Sequence, residues 1–248
     1  MNSAAPARAA SSLSPIFDRP HVAFFGRSLA EYRTCFTLDH LAWRGRSVLD
    51  VASGPSSFTA EARRAGVEAV AVDPAYADSP DHLAGRIEQD YDHMFRRLRE
   101  PGNRSRLRWQ RFRSLAAAEA DRRAAAARFL RDFRVHRQQD RYVAAALPQL
   151  PFLDRAFDLV LCAHLLFLYP MQHDFAFYVA AGIELMRVAR EEVRIHPVCG
   201  PDGGAYPELA RLQAAWAQAG ITSRAMPVTR EFLRGTSSTL VLSREGRR

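Results

Sequence analysis

The chain has 248 residues, 48% of them apolar, with 35 basic and 27 acidic side chains and a formal net charge of +8. That length and apolar content allow a sizeable core in one large domain and exclude a disordered chain. No apolar run approaches the roughly 18 residues of a membrane helix. Cys35, Cys162 and Cys199 are too far apart for a CxxC metal or redox motif and point to a reducing, cytoplasmic setting.

The charge is unevenly placed. Every basic residue is Arg, and residues 83–141 hold 16 of them against 8 acids, whereas the rest of the chain holds 19 against 19. The entire excess therefore lies in one internal segment.

In chain order, the Ala/Ser/Pro-rich residues 1–15 read as a disordered leader, because they lack the apolar core of a secretory signal. A helical lead-in is predicted over 16–46, with Ser28 as N-cap and Glu31 as its capping-box partner. A first strand is expected over 47–51, a Gly-containing turn after it, and a helix over 58–65 closed by Gly66. The β-branched run 67–72 reads as a buried parallel strand that stops at Asp73, 23 residues after Asp50. Such a strand–loop–helix–strand unit suits a nucleoside-bearing cofactor: the loop brings backbone N–H groups close, and the terminal acid accepts from ribose hydroxyls.

Helical spacing then runs through Ile87, Tyr91, Met94, Phe95 and Leu98, breaks at Pro101-Gly102, and resumes over 107–139. About 60 residues here stand where one short helix would suffice, so they read as an inserted helical subdomain at about 83–140. Strands follow over 141–147 and 157–163, then a helix over 175–189, a strand over 192–198, and a helix over 206–219 closed by Gly220. Strands over 222–228 and 238–243 would make a C-terminal hairpin. The alternation defines an open α/β sheet that binds ligands at its carboxyl edge.

Val48 to Phe58, Asp73-Pro74, and Leu150-Pro-Phe-Leu-Asp-Arg-Ala-Phe-Asp-Leu-Val-Leu161 together resemble the class I S-adenosylmethionine-dependent methyltransferases of the stand-alone bacterial type. The resemblance covers residues 45–82 and 140–243 and leaves out the insert. It implies a Rossmann-like methyltransferase fold, with a seven-stranded, mostly parallel sheet, helices on both faces and a helical insertion. It also implies S-adenosylmethionine as cofactor. Asp50 would orient the loop or the cofactor's amino group. Ala52, Ser53, Gly54 and Pro55 would line the methionine moiety, Asp73 and Pro74 the ribose, and Leu147 and His164 the remaining wall. Two departures from the family pattern stand out. Ala52 and Ser56 replace loop glycines, each adding a side chain where the backbone approaches the cofactor. Ala146 stands where an Asp would accept from the adenine amine. A dinucleotide fingerprint is the alternative reading of the loop, but Ala52-Ser-Gly-Pro-Ser-Ser57 has one glycine of the three required.

Methyl transfer needs orientation and, for a poorly ionised nucleophile, a base. His164, directly after the fourth strand, and His196, before Pro197, are the catalytic candidates. Arg27, Tyr32, Tyr169 and Arg194 are candidates for touching a small-molecule substrate, with packing, or pairing of Arg194 with Glu191 or Glu192, as the alternative. Tyr169 and His173 read as surface-loop residues. No metal-ligand spacing is present. Residues 104–113 interleave Arg with Trp109 and Phe112, which suits either an RNA-binding face or a cap over the site. A non-catalytic relative serving as an interaction module is the reading from another class.

Overall fold

The computed structural model describes residues 21–38 and 44–246, so the expected leader over 1–15 lies outside the described residues. Strand β1 (Ser47–Val51), helix α2 (Phe58–Arg64) and strand β2 (Glu68–Val72) form the predicted unit. Gly66 ends its helix at φ +86°, a left-handed turn that favours glycine. Helix α1 (Leu29–Cys35) precedes the unit. The lead-in differs from expectation, because residues 22–28 form an extended strap and not a helix. Ser28 caps α1 by position only: its hydroxyl donates to Asp121, and Glu31 is drawn to Arg122 instead of closing a capping box.

After β2, a short 3-10 turn (Pro74–Ala77) leads into α3 (Pro80–Arg99), α4 (Pro101–Arg104) and α5 (Leu115–His136). The hydroxyls of Ser79 and Ser114 accept from the backbone N–H groups of His82 and Ala117, capping α3 and α5. Residues 107–114 are not helical as expected. Leu107 bridges to Leu233, and Arg108 N donates to Phe232 O, so this stretch pairs with a C-terminal loop.

Strand β3 shrinks to Tyr142–Val143, against an expected seven residues. It is an edge strand, and its partner β2 ends at Val72, so nothing remains to pair beyond Val143. Strand β4 (Phe157–Ala163), helix α6 (Phe175–Val188), strand β5 (Ala189–His196), helix α7 (Leu209–Gln218) and strands β6 (Ile221–Pro227) and β7 (Ser238–Arg244) follow close to their expected places.

The seven strands take the order β3-β2-β1-β4-β5-β7-β6, and only β7 runs against the others. Strand pleating sends alternate residues to opposite faces. Leu49, Val51, Val160, Cys162 and Ile195 pack under α6 and α7. Val48, Ala69, Leu159 and Leu161 pack under α1 and α2. A third cluster joins Leu83, Tyr91 and Phe95 of α3 to Phe129 and Phe133 of α5 around Tyr76. The insert therefore carries its own core and stands over the carboxyl end of β2.

Candidate functional site

The loop after β1 is fixed by two buried acids. Asp50 accepts from the hydroxyls of Ser53 at 2.6 Å and Tyr32 at 3.0 Å, which pulls the start of the loop back toward the sheet. Its carboxyl is pushed up to about 7, because burial outweighs those hydrogen bonds. Asp73 accepts from Gly54 N at 3.0 Å and from Ala75 N at 2.9 Å, one bond to each oxygen. Burial raises its pKa also, against the pull of those two N–H groups. A carboxylate offers about four lone-pair sites, so Asp73 retains acceptor capacity for a ligand. Gly54 O accepts from Tyr76 OH at 2.7 Å, which ties the loop to the 3-10 turn after β2.

The two substituted glycines behave differently. Ala52 adopts φ +54° and puts its methyl on the cavity wall, a left-handed conformation costing roughly 1–2 kcal/mol without glycine. Ser56 turns away: its hydroxyl donates to Arg27 O at 2.9 Å and accepts from Phe58 N at 3.1 Å.

The strap of residues 22–28 lies across this loop, held by side chains instead of a strand ladder. Ala23 N donates to Tyr169 OH, Phe24 N to a carboxylate oxygen of Asp90, and Gly26 N to Tyr91 OH. Gly26 presses on the loop so closely that a Cβ there would meet the Pro55 carbonyl at 2.2 Å. Pro55 itself lines no cavity among the described residues.

Three cavities follow one another along the carboxyl edge. The outer one, 160 Å³, is bounded by Asp73, Pro74, Ala146, Leu147 and Phe177, with Val22 to Phe24 of the strap as its lid. Ala52 and Asp73 also border a middle cavity, which continues past Gly54 to Arg27, His164 and Tyr169. Arg27 and His164 in turn border an inner cavity, which adds His196, Arg111, Arg122 and Arg230. The middle and inner spaces are each about 30 Å³.

His164 thus sits at the junction. It has φ +57°, its backbone N donates to His196 O at 2.6 Å, and its Nδ1 is buried with no hydrogen-bond partner. Burial, then the Arg27 charge, holds its imidazole well below the ordinary range. His196 is pushed down to about 3 by burial first and then by Arg27. The two rings lie 5.2 Å apart, edge to face, and His196 Nδ1 is 3.0 Å from Thr239 Oγ1.

Several sequence expectations need correction. Tyr32 does not face a substrate space: it stacks on Phe58 and spends its hydroxyl on Asp50. Arg194 is likewise committed, paired with Glu192 and donating to Phe36 O, while Glu191 pairs with Arg46. Tyr169 is not a surface-loop residue, whereas His173 is half-buried in the loop before α6. Tyr169 is buried, and His173 stacks on Phe177 at 3.9 Å beside the outer cavity. Asp50 and Ser53 hold the loop through their mutual hydrogen bond and line none of these three cavities. Ala146 does line the outer cavity, so it presents a methyl group there and no acceptor.

Of the arginines at the inner cavity, the sequence singles out Arg27 and, within 104–113, Arg111, but neither Arg122 nor Arg230. Arg122 sits at helical spacing from Ala125, Ala126, Phe129 and Phe133, on the buried stripe of α5, and that placement was the available signal. In the insert, Arg106 is buried and donates to Pro201 O at 2.7 Å, and Arg111 donates to Ala30 O at 3.1 Å. Phe112 is buried against Phe232. The interleaved segment is thus divided: Arg106, Leu107 and Phe112 face protein, whereas Arg104, Trp109 and Arg113 are exposed. Among the described residues no group of three or more His, Cys, Asp or Glu could hold a metal ion, and no helix is long and apolar enough to cross a membrane.

No protein-family model matches the chain. An uncharacterized protein of Methanocaldococcus jannaschii is 27% identical over 219 residues, which is 88% of this chain and 95% of that one. Among solved structures, the chain is similar to the magnesium protoporphyrin IX methyltransferase of Synechocystis PCC 6803 with bound S-adenosylmethionine. That match has 14% identity and a TM-score of 0.46, covering 93% of this chain and 88% of the other. It is similar to the 1,6-didemethyltoxoflavin N1-methyltransferase of Burkholderia thailandensis at 18% identity and a TM-score of 0.44, covering 88% and 78%. A TehB-like methyltransferase of Corynebacterium glutamicum matches at 14% and 0.46, covering 86% and 87%. Such likenesses concern architecture alone, and the chemistry of this site has to come from its own residues. The strand order with its single reversed strand is the Rossmann-like arrangement of the class I methyltransferases, carrying a helical insertion between β2 and β3.

Proposed function

We propose that this protein is an S-adenosylmethionine-dependent methyltransferase acting on a small or medium-sized acceptor. The observation that carries the reading is the continuity of the three cavities. Asp73 stands at the outer one, Ala52 and Gly54 at the middle one, and His164 where the middle meets the inner one.

The residues present fit the cofactor. Asp73 would accept from the ribose hydroxyls, Leu147 and Phe177 would flank the base, and Ala52 and Gly54 would border the methionine moiety. When bound, the cofactor supplies a methyl group already activated on a sulfonium. The chain's own work is orientation and water exclusion, and strap and insert together roof the reacting junction. His164 Nδ1, neutral and unpartnered, is placed to accept a proton from the attacking atom of the acceptor. His196 acts through His164, since its carbonyl accepts from the His164 N–H and its ring is packed against the imidazole. Cys35, Cys162 and Cys199 are free, buried thiols, which supports a cytoplasmic location.

The RNA-methyltransferase reading is the weaker one, because Arg106, Arg111 and Phe112 are turned into the protein. The purely structural relative is separated by calorimetry with S-adenosylmethionine and S-adenosylhomocysteine. We expect both to bind, and Asp73→Asn to weaken binding by about 1.5–3 kcal/mol, as for a lost charge-assisted hydrogen bond. Absence of binding at millimolar ligand would overturn the enzyme reading, and an unchanged affinity in the variant would overturn the placement of the ribose.

A further inference from the structure

Resting on the cofactor reading above, we propose that the methyl acceptor carries a carboxylate, which seats against Arg27, Arg111, Arg122 and Arg230 in the inner cavity.

The charge there is unbalanced. Four guanidinium groups line the space, and Glu31 is the one carboxylate among its lining residues. Both Glu31 oxygens are already engaged. Arg122 reaches them with Nη2 at 2.6 Å and Nε at 3.3 Å, and Arg27 Nε lies 3.2 Å from Oε1. No other lining group supplies negative charge. Burial pushes the Cys35 thiol up to about 12, and both histidines are held neutral.

Buried charge is expensive unless paired. Arg27 and Arg122 are both buried, and each crowds the other: repulsion by Arg122 adds to burial in lowering the Arg27 pKa. The Nε atoms of Arg27 and Arg111 are buried and make no hydrogen bond. Arg111 Nη1 donates to Ala30 O and Thr34 Oγ1, and the exposed Arg230 stands at the mouth. A guanidinium is a planar fork that matches a carboxylate, whereas a compact ammonium does not. The remaining wall is apolar. Phe25, Met94, Leu98 and Phe232 surround the arginines, and Arg122 lies 4.2 Å over the Phe232 ring. The lining therefore matches an apolar body ending in a carboxylate, with the opposite end toward His164, and the space of about 30 Å³ has to widen to admit it.

Calorimetric titration of acetate and benzoate against their neutral counterparts acetamide and benzamide tests this, on protein alone and on protein saturated with S-adenosylhomocysteine. We expect each carboxylate to bind roughly tenfold tighter or more than its amide, a gap of about 1.4 kcal/mol. Arg111→Gln together with Arg230→Gln should erase the gap. Both positions are only partly buried, and circular dichroism checks that the double variant folds. Amides binding as well as carboxylates would overturn the proposal, as would carboxylate binding that ignores the two substitutions. Inorganic phosphate binding tighter than either carboxylate would overturn the choice of anion. Failure of S-adenosylhomocysteine to bind sinks the cofactor reading alone, because the titrations on free protein still decide the anion site.

Discussion

Asp50 and His196 are both buried at the carboxyl edge, and burial moves them in opposite senses on the pH scale. Asp50 ionises near 3.8 in an unfolded chain and near 7 here. Folding thus favours its protonated form, a contribution that is full below pH 3.8 and lost as pH rises through 7. Asp50→Asn keeps partners for Tyr32 and Ser53 but removes the titration. Denaturant unfolding from pH 5 to pH 8 should show the wild type losing stability relative to this variant as pH rises. A constant difference would mean that Asp50 stays ionised throughout. For His196 the ordinary value is 6.5 and the folded value about 3, so its contribution is present above pH 6.5 and lost as pH falls toward 3. His196→Gln should accordingly narrow the acid-induced loss of stability, and an unchanged slope between pH 6.5 and 4 would contradict it.

At the scale of elements, α6 and α7 pack closely. A Cβ on Gly182 would meet the fully buried Trp216 ring at 2.3 Å, while Trp216 Nε1 is anchored to Val179 O at 3.2 Å. Ala favours helices over Gly by about 1 kcal/mol, but overpacking costs typically 1–3 kcal/mol. Gly182→Ala should therefore destabilise the protein or leave it no more stable, and a raised melting temperature would show that the Trp216 ring can give way. Other elements explain what the sequence could reveal. Strands β1, β2 and β4 were legible because apolar runs end at an acid or a turn, and their buried registers leave no choice of face. Residues 107–114 were not, since their order comes from pairing with Leu233 and Phe232, over a hundred residues away. Residues 22–28 carry no periodicity at all, because Asp90, Tyr91 and Tyr169 supply their partners from elsewhere. At the site, Asp73 and His164 were readable from their places at strand ends. Tyr32 and Arg194 were not, because a polar side chain serving the backbone looks the same in sequence as one serving a ligand.

Across the whole molecule, the net charge of +8 belongs to the insert, and several of its arginines are paired. Arg123 meets Glu88, Asp92 and Glu119, Arg141 meets Asp132, and Arg122 meets Glu31. The partners of Arg123 and Arg141 are acids of the same segment, already counted in its net charge, so these pairs order the side chains and leave the excess in place; the exposed ones contribute roughly 0–1 kcal/mol each. Any association with single-stranded RNA should be salt-sensitive, and Arg106→Ala should not alter it, because Arg106 is buried and donates to Pro201 O. A clear loss on that substitution, measured by fluorescence anisotropy, would restore the RNA reading.

The strap ties the molecule together in a further way. Val22, Ala23 and Phe24 wall the outer cavity, and Phe25 and Arg27, next in the chain, wall the inner one. A ligand that settles one end of so short a segment prepays part of the ordering needed at the other. Linkage makes that help reciprocal: whatever factor the first ligand adds to the affinity of the second, the second returns to the first. One seven-residue stretch would thus make donor and acceptor sites report on each other's occupancy.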